Sequence, residues 1–294
     1  MEIFGVPSQA LFGQLLIGLI NGSFYALLSL GLAVIFGLLN IINFTHGAQY
    51  MLGAFCAYLL LNKLGIGYWW SLAFAPIIVG ITGVIIERTM LSKLYKLDHL
   101  YGLLLTFGLA LIIQGLFRNE FGSSGLPYRI PQELQGAQNL GFMFLPNYRA
   151  WVIVVSLVVC LATWYVIERT KLGAYLRAAT ENPQLVQAFG INVPRMITLT
   201  YGFGVALAAF AGVMAAPIYQ VNPLMGADLI IVVFAVVVIG GMGSIMGAIV
   251  TGFGLGIIEG LTKVFYPEAS NTVIFIIMAI VLMFKPAGLF GTQK

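Results

Sequence analysis

The order of apolar and polar positions along the chain predicts a series of membrane-spanning helices. A bilayer core requires about 20 mainly apolar residues per helix, and runs near that length recur between short polar stretches. They lie near 11–30, 47–62, 70–87, 101–117, 150–167, 196–217, 228–242, 244–263 and 272–284. A further apolar stretch, 31–43, is interrupted by polar residues and is compatible with either a full span or a re-entrant segment.

The composition agrees with a membrane protein. Of the 294 residues, 60% are hydrophobic and 8% are charged, whereas about 25% of the residues of a soluble domain are charged. We therefore predict one all-α polytopic transmembrane bundle over 1–294, with about eight to ten spans and some broken or re-entrant helices. Cys56 and Cys160 both lie in apolar runs, where they are predicted to pack rather than to form a disulfide or a metal site. The net charge of +4 comes from scattered residues and does not indicate nucleic-acid binding.

The basic residues predict the orientation of the chain in the membrane. Nine of the 14 lysines and arginines fall on one side of the predicted spans. They are Arg88, Lys93, Lys96, Arg169, Lys171, Arg177, Arg195, Lys285 and Lys294. By the positive-inside rule this side is cytoplasmic, and so is the C-terminus. The side of the N-terminus depends on whether 31–43 spans. The long Gly- and Pro-rich segment 118–149 is predicted to be a periplasmic loop.

The polar segment 168–195 carries its own helix punctuation. Asn182 followed by Pro183 is typical of a helix start, and Gly190 is typical of a helix end. The residues between them, and those of 172–179, are predicted to be helical. Such an element is either an ordinary loop helix on the lipid headgroups or a docking element for a cytosolic partner.

A second group of polar residues interrupts the apolar sequence after the first spans. Polar side chains at membrane depth are costly unless they face protein or water, so we expect this group to line a translocation pathway or gate. The group comprises Asn40, Asn43, Thr45, His46 and Gln49. The alternative is that His46 and Asn43 bond to backbone freed at the break and hold a hinge. No metal site is predicted, since His46 lacks nearby Cys, Asp or Glu.

Glycines recur at intervals of four in the predicted span 244–263 and at its start. Small residues at this spacing allow close helix packing in lipid. The predicted packing glycines are Gly243, Gly247, Gly252, Gly256 and Gly260. The GGMG sequence of 240–243 lacks the Lys-Ser/Thr pair of a nucleotide-binding loop.

Catalytic motifs are absent from the sequence, so an enzyme is not predicted. The carboxylates Glu87, Asp228 and Glu259 lie near span ends, and deep positions are nearly free of charge. Ion-coupled carriers usually require a deep acidic residue. The pattern therefore disfavours an ion-coupled secondary transporter and indicates that energy is supplied by another protein.

Five stretches, in the same order along the chain, resemble the permease subunit of ATP-binding-cassette importers for branched-chain amino acids. They are Gly22–Gly37, Ile42–Gly53, Thr170–Gly212, Gly240–Glu259 and Lys285–Gly291. The resemblance implies that 168–195 is a cytoplasmic coupling segment that contacts an ATPase, with Glu181, Asn182, Pro183 and Gly190 matching its motif. The coupling residues expected on this basis are Arg177, Glu181, Asn182, Pro183, Leu185, Phe189 and Gly190.

The resemblance also implies partners and a mechanism. These are a second permease subunit, two cytosolic ATPases that bind the ATP, and a periplasmic solute-binding protein, assembled at the bacterial inner membrane. This chain would then need no cofactor and would work by alternating access. Branched-chain or other amino acids are the expected solutes, while urea, short amides and organic acids remain alternatives within the family. An ion-coupled secondary transporter or a channel remains the alternative function.

Overall fold

The computed structural model describes residues 2–3, 6–39, 43–95, 97–141 and 143–291, and most of them are helical. The helices are α1 (Ser8–Leu39), α2 (Thr45–Leu64), α3 (Tyr68–Thr89), α4 (His99–Phe121), α5 (Asn147–Arg169), α6 (Lys171–Glu181), α7 (Pro183–Ala188), α8 (Val193–Tyr219), α9 (Ala227–Gly240), α10 (Ile245–Phe265) and α11 (Val273–Phe284). Two short antiparallel ribbons pair β1 (Glu2–Ile3) with β2 (Val6–Pro7), and β3 (Ala137–Asn139) with β4 (Phe144–Pro146).

The prediction of an all-α polytopic membrane bundle is confirmed, because each of the nine predicted apolar runs lies within a helix or extends at most two residues beyond its end. Within the described residues, six helices are long and apolar enough to cross a membrane: α1, α3, α4, α5, α8 and α10. Helices α9 and α11 are shorter and strongly apolar. Helix α2 has 20 residues, but its first turns carry the polar group described above.

The stretch 31–43 is neither a separate span nor a re-entrant hairpin in its described part. Residues 31–39 continue α1, which has 32 residues. Backbone groups in an apolar setting must be satisfied within the segment, and nothing from Gly31 to Leu39 interrupts the helical hydrogen bonds. The helix ends where polar residues begin. Asn40 lies outside the described residues.

The chain forms two compact units. The first comprises Met1–Ser29, Arg129–Leu161 and Val232–Lys294. In it, Gly252, Gly256 and Gly260 of α10 pack against the backbone of α1. The β3–β4 ribbon and a 3-10 turn at Gln132–Leu134 also lie in this unit. These short elements comprise nine of the 25 residues between Phe121 and Asn147, within the turn-rich sequence of 118–149.

The second unit comprises Leu30–Tyr128 and Ala162–Ile231. Helix α8 packs against both α2 and α3. Its core includes Ile35, Val79, Tyr201, Val205 and Ala209. Contact between α2 and α8 is close, because a Cβ added to Gly53 would lie 2.2 Å from the carbonyl oxygen of Ala209. Small residues thus bring the start of α2 against α8, which positions the polar group.

Candidate functional site

The polar residues at the start of α2 are fully buried in the second unit. Asn43, Thr45, His46 and Gln49 are each at most 1% exposed. The structure therefore brings together the four described members of the predicted pathway group. All four side chains can carry hydrogen bonds without a permanent charge, so the site is polar and close to neutral.

Thr45 and Thr106 connect this group to α4. The Thr45 hydroxyl donates to the backbone carbonyl of Thr106 at 2.9 Å, and the backbone N–H of Phe44 donates to the Thr106 hydroxyl at 3.2 Å. Thr45 therefore makes a side-chain bond to distant backbone. The His46 ring packs on α1, since a Cβ added to Gly31 would lie 3.0 Å from its Cε1 atom.

Tyr201 of α8 completes the group and was not identified from the sequence. Its side chain is 1% exposed, and its hydroxyl faces the amides of Gln49 and Asn43. Among the described residues this hydroxyl does not reach strict hydrogen-bond geometry. The Asn43 amide donates to the Gln49 oxygen at 3.4 Å, near the upper limit for a hydrogen bond. The hydrogen bonds within this buried group are thus few and long. Buried polar atoms without a good hydrogen bond cost free energy, so a rearrangement that supplies partners, such as water or a solute, would be favoured.

The polar segment 168–195 forms two helices, α6 and α7, and the second begins and ends where its punctuation predicts. The Asn182 side chain accepts a hydrogen bond from the backbone N–H of Leu185 at 3.0 Å, which caps α7, and Pro183 is the first residue of that helix. Gly190 has a φ of 84°, a left-handed conformation that other residues adopt at a cost. The predicted start and stop of this helix are confirmed.

One face of this segment is anchored and another is exposed. Val186 is buried against Ala179 and Val193. Leu185 is 55% exposed and Phe189 is 77% exposed. Two large apolar side chains, one helical turn apart, are therefore exposed on one side of the segment, while Val186 packs against neighbouring residues on the other.

Helix α6 is fixed to the end of α5. The Arg177 guanidinium donates to the carbonyl of Ile167 at 3.0 Å and lies 3.3 Å from the Glu168 carboxylate. Gly173 touches the same turn, because a Cβ there would lie 1.6 Å from the Ile167 oxygen. These contacts place Arg177 on the anchoring side of the segment. Glu181 is exposed at the end of α6.

The predicted packing glycines occupy two kinds of position. In the first unit, Gly252, Gly256 and Gly260 face α1 at distances that leave no room for a Cβ, and Gly247 packs in the same way on Gly240. Gly243 differs. It precedes α10 and has a φ of 85°, so it allows the turn between α9 and α10.

Two of the carboxylates near span ends are buried, which the sequence did not predict. Glu87 is 2% exposed and accepts hydrogen bonds from Tyr95 at 2.5 Å and Thr198 at 2.7 Å. Burial and the bond to Glu87 raise the pKa of Tyr95, which keeps its hydroxyl protonated and able to donate. Glu259, in the first unit, is 6% exposed. It accepts from Tyr25 at 2.7 Å and pairs with Lys263 one turn later.

The sequence indicated only that these carboxylates lie near span ends. Proximity to a helix end does not reveal burial, because burial depends on which helices pack beside that end. The spacing of Glu259 and Lys263 by four residues was the one local signal of an ion pair. Within the described residues, no group of three His, Cys, Asp or Glu side chains could hold a metal ion.

Apolar helices arranged around a buried neutral polar group define a multi-pass membrane protein of transport type. Comparison with known proteins is more specific. The family model described as "Branched-chain amino acid transport system / permease component" matches residues 14–282. The chain belongs to this family, and it is a transport permease rather than an enzyme.

Relatives from three organisms illustrate the similarity. The chain is 30% identical to the high-affinity branched-chain amino acid transport system permease protein LivH of Escherichia coli K12, over 96% of each chain. It is 31% identical to the corresponding protein BraD of Pseudomonas aeruginosa, again over 96% of each chain. It is 28% identical to a probable LivH of Methanocaldococcus jannaschii, over 94% of this chain and 91% of the relative. No solved structure matches significantly.

Proposed function

We propose that the protein is the membrane-spanning permease subunit of an ATP-driven, binding-protein-dependent importer of branched-chain or other amino acids. The observation that carries this proposal is the α6–α7 segment, a capped and anchored element that presents Leu185 and Phe189 outward. A held helix can transmit a displacement to the helices that flank it, whereas a flexible loop cannot. The relatives are transport system permeases, which agrees with this role.

The proposed assembly contains more than one permease chain. The chain is also 27% identical to the permease protein LivM of Escherichia coli K12, over 92% of this chain and 68% of the relative. Two different permease proteins of one transport system are therefore similar to it, which supports a second homologous permease as partner. Two cytosolic ATPases and a periplasmic solute-binding protein complete the proposal, with the complex in the bacterial inner membrane.

The orientation follows from the basic residues. We place the coupling segment 168–195 and the C-terminus in the cytoplasm and the loop within 118–149 in the periplasm. ATP would be bound by the ATPase partners, and this chain would need no cofactor of its own.

In the proposed mechanism, ATP binding closes the ATPase pair and draws the coupling segments together. Helix α8 follows α7 after Phe189, Gly190, Ile191 and Asn192, so movement of the segment displaces the start of α8. The same helix carries Tyr201, which faces the Gln49 and Asn43 amides. Displacement would change the spacing of this buried group and admit water and solute. A neutral polar lining suits a zwitterion, whose net charge is zero, because the lining offers hydrogen-bond donors and acceptors without a net charge of its own.

The first test is purification of the tagged protein from its native membrane under mild conditions, with mass spectrometry of the proteins that accompany it. An ATPase and a second permease are expected. The recovered complex is then reconstituted with its binding protein, and uptake of labelled leucine is measured with ATP and with a non-hydrolysable analogue. We expect uptake with ATP and none with the analogue, and we expect ionophores to leave the uptake with ATP unchanged.

Recovery of the chain by itself, with uptake that an ionophore abolishes, would show an ion-coupled carrier instead. Urea, acetamide and aromatic acids, tested as competitors in the same assay, separate the solute classes of the family. Competition by one of these and not by leucine, isoleucine or valine would overturn the assignment to amino acids.

A double substitution tests the pathway group. In Asn43→Leu/Gln49→Leu both partners of the 3.4 Å bond are replaced by apolar groups of similar size, so neither amide is left unpaired, but the Tyr201 hydroxyl loses both amide neighbours. If the amides line the pathway, uptake should fall by roughly tenfold or more, equivalent to about 1.4 kcal/mol or more in the transition state. The free energy of unfolding should fall by no more than the cost of one unsatisfied buried hydroxyl, about 1–3 kcal/mol.

The matched control is Ser156→Ala/Thr163→Val, which removes two buried hydroxyls from α5. This control should leave uptake close to that of the unmodified protein. Full uptake by the Asn43→Leu/Gln49→Leu variant would exclude these amides from the pathway and leave them a packing role.

A further inference from the structure

The second unit contains an open cleft at the end of α3 and the start of α8. Its volume is about 910 Å³, and its lining includes Arg88, Arg195 and Glu87. The two Glu87 oxygens already accept hydrogen bonds, from Tyr95 and from Thr198. Neither arginine forms an ion pair among the described residues. The cleft therefore offers two arginines to a ligand, with one carboxylate nearby that is engaged elsewhere.

An apolar groove adjoins this cleft. It has a volume of about 240 Å³ and lies between α5, α6 and α8, where Leu172, Leu176, Met196 and Phe203 line it. Leu199 lines both the cleft and the groove. A single ligand can therefore occupy both, with an anionic part at the arginines and an apolar part in the groove.

The exposed face of α8 also changes from charged to apolar along the helix. Arg195, Leu199 and Phe203 follow at intervals of four and so lie on one face of the helix. Leu199 is 69% exposed and Phe203 is 43% exposed. The face thus begins with a positive charge at the helix end and becomes apolar further along the span.

Both arginines lie at the ends of candidate membrane spans. Arg88 is in the last turn of α3 and Arg195 in the first turn of α8, and both helices are candidate spans. Basic side chains at span ends meet the headgroup region, and basic pockets between spans on the cytoplasmic side bind anionic headgroups.

We propose that the cleft and groove bind one anionic phospholipid of the cytoplasmic leaflet, with its phosphate at Arg88 and Arg195 and an acyl chain along Leu199 and Phe203. The proposal rests on the orientation given under Proposed function. Bound there, the lipid would contact the first turns of α8, which follow the coupling segment directly. It would therefore influence the movement that the ATPases impose.

The test is native mass spectrometry of the purified complex with dioleoyl-phosphatidylglycerol, and with dioleoyl-phosphatidylcholine for comparison. We expect tighter binding of phosphatidylglycerol. Arg88→Gln/Arg195→Gln should weaken it about thirtyfold, which corresponds to about 2 kcal/mol for two cationic contacts. The matched control is Arg118→Gln/Arg149→Gln, which changes the last turn of α4 and the first turn of α5. It should leave the affinity unchanged.

The acyl chain is tested separately. Dihexanoyl-phosphatidylglycerol has the same headgroup but short chains, and it should compete poorly with the dioleoyl lipid. Leu199→Gln/Phe203→Gln should reduce this preference for long chains. Unaltered size-exclusion profiles show that each variant is folded.

Four results would overturn the proposal. They are equal binding of the two dioleoyl lipids, equal losses in the cleft and control variants, displacement of the lipid by millimolar inorganic phosphate, and exclusion of the lipid when the ATPase is bound. The third result would indicate a soluble anion site, and the fourth an ATPase docking face. The binding measurement requires neither ATP nor solute. Its result would therefore still show whether the lipid binds if the importer assignment were wrong.

Discussion

Gly256→Val is expected to abolish accumulation of folded protein in the membrane. A Cβ at this position would lie 2.4 Å from the Gly18 carbonyl oxygen and 2.4 Å from the Gly22 Cα atom, both on the backbone of α1. Backbone cannot move aside as a flexible side chain can, so α1 and α10 would have to separate. Overpacking a well-filled site costs about 1–3 kcal/mol when side chains can adjust, and a forced separation of helices should cost at least the upper value.

The measurement is the yield of monodisperse protein in fluorescence-detected size-exclusion chromatography, with thermal stability for any protein recovered. Gly254→Val is the matched control, because the same residue type is introduced into the same helix where nothing lies within 4 Å of the new Cβ. That variant should be recovered in nearly normal amounts. Equal yields from the two variants would mean that α10 does not depend on this contact with α1.

Leu185→Asp/Phe189→Asp is expected to separate the permease from its ATPase while the membrane fold survives. Both side chains are more than half exposed, so the fold has little need of them. In a docked complex they would be the apolar anchors, and anchors of this kind contribute about 2 kcal/mol or more each. Counting about 4 kcal/mol for the pair, the affinity for the ATPase should fall by roughly a thousandfold. ATP-driven uptake should be lost with it.

The chain provides a closely matched control. Leu140 and Phe144 are the same residue types at the same spacing, and they are 43% and 69% exposed in the loop between α4 and α5. Leu140→Asp/Phe144→Asp should leave the amount of co-purified ATPase unchanged. If both double variants retain the ATPase, α7 is not its docking element, and the segment has the role of an ordinary loop helix.

The anchoring contacts of α6 and α7 are those that the proposed docking role requires. Arg177 and Gly173 fix α6 to the end of α5, and Val186 fixes α7 to Val193 at the start of α8. A push on the exposed face is therefore passed to α8 rather than absorbed by a hinge. Tyr201 lies eight residues after Val193 on that helix, so in the proposed mechanism the displacement reaches the buried polar group within about two helical turns.

The sequence determined the features that depend on near neighbours in the chain. The length of each apolar run set the positions of the spans, because a helix satisfies its own backbone in lipid. The cap at Asn182 and the left-handed Gly190 were predictable, since both act within four residues. The spacing of Gly252, Gly256 and Gly260 also indicated a packing stripe before its partner helix was known.

Only the tertiary structure decided which helix faces which. It placed Tyr201 against Gln49 and Asn43, 152 and 158 residues away in the chain. It also buried Glu87 and Glu259, and it gave Gly243 the left-handed conformation of a turn. Burial and cross-helix contact are properties of pairs of helices, and no local pattern in one helix specifies its neighbour. The position of each helix in the chain followed from its own residues. The composition of the polar group followed from the close packing of α2 and α8, which their glycines permit.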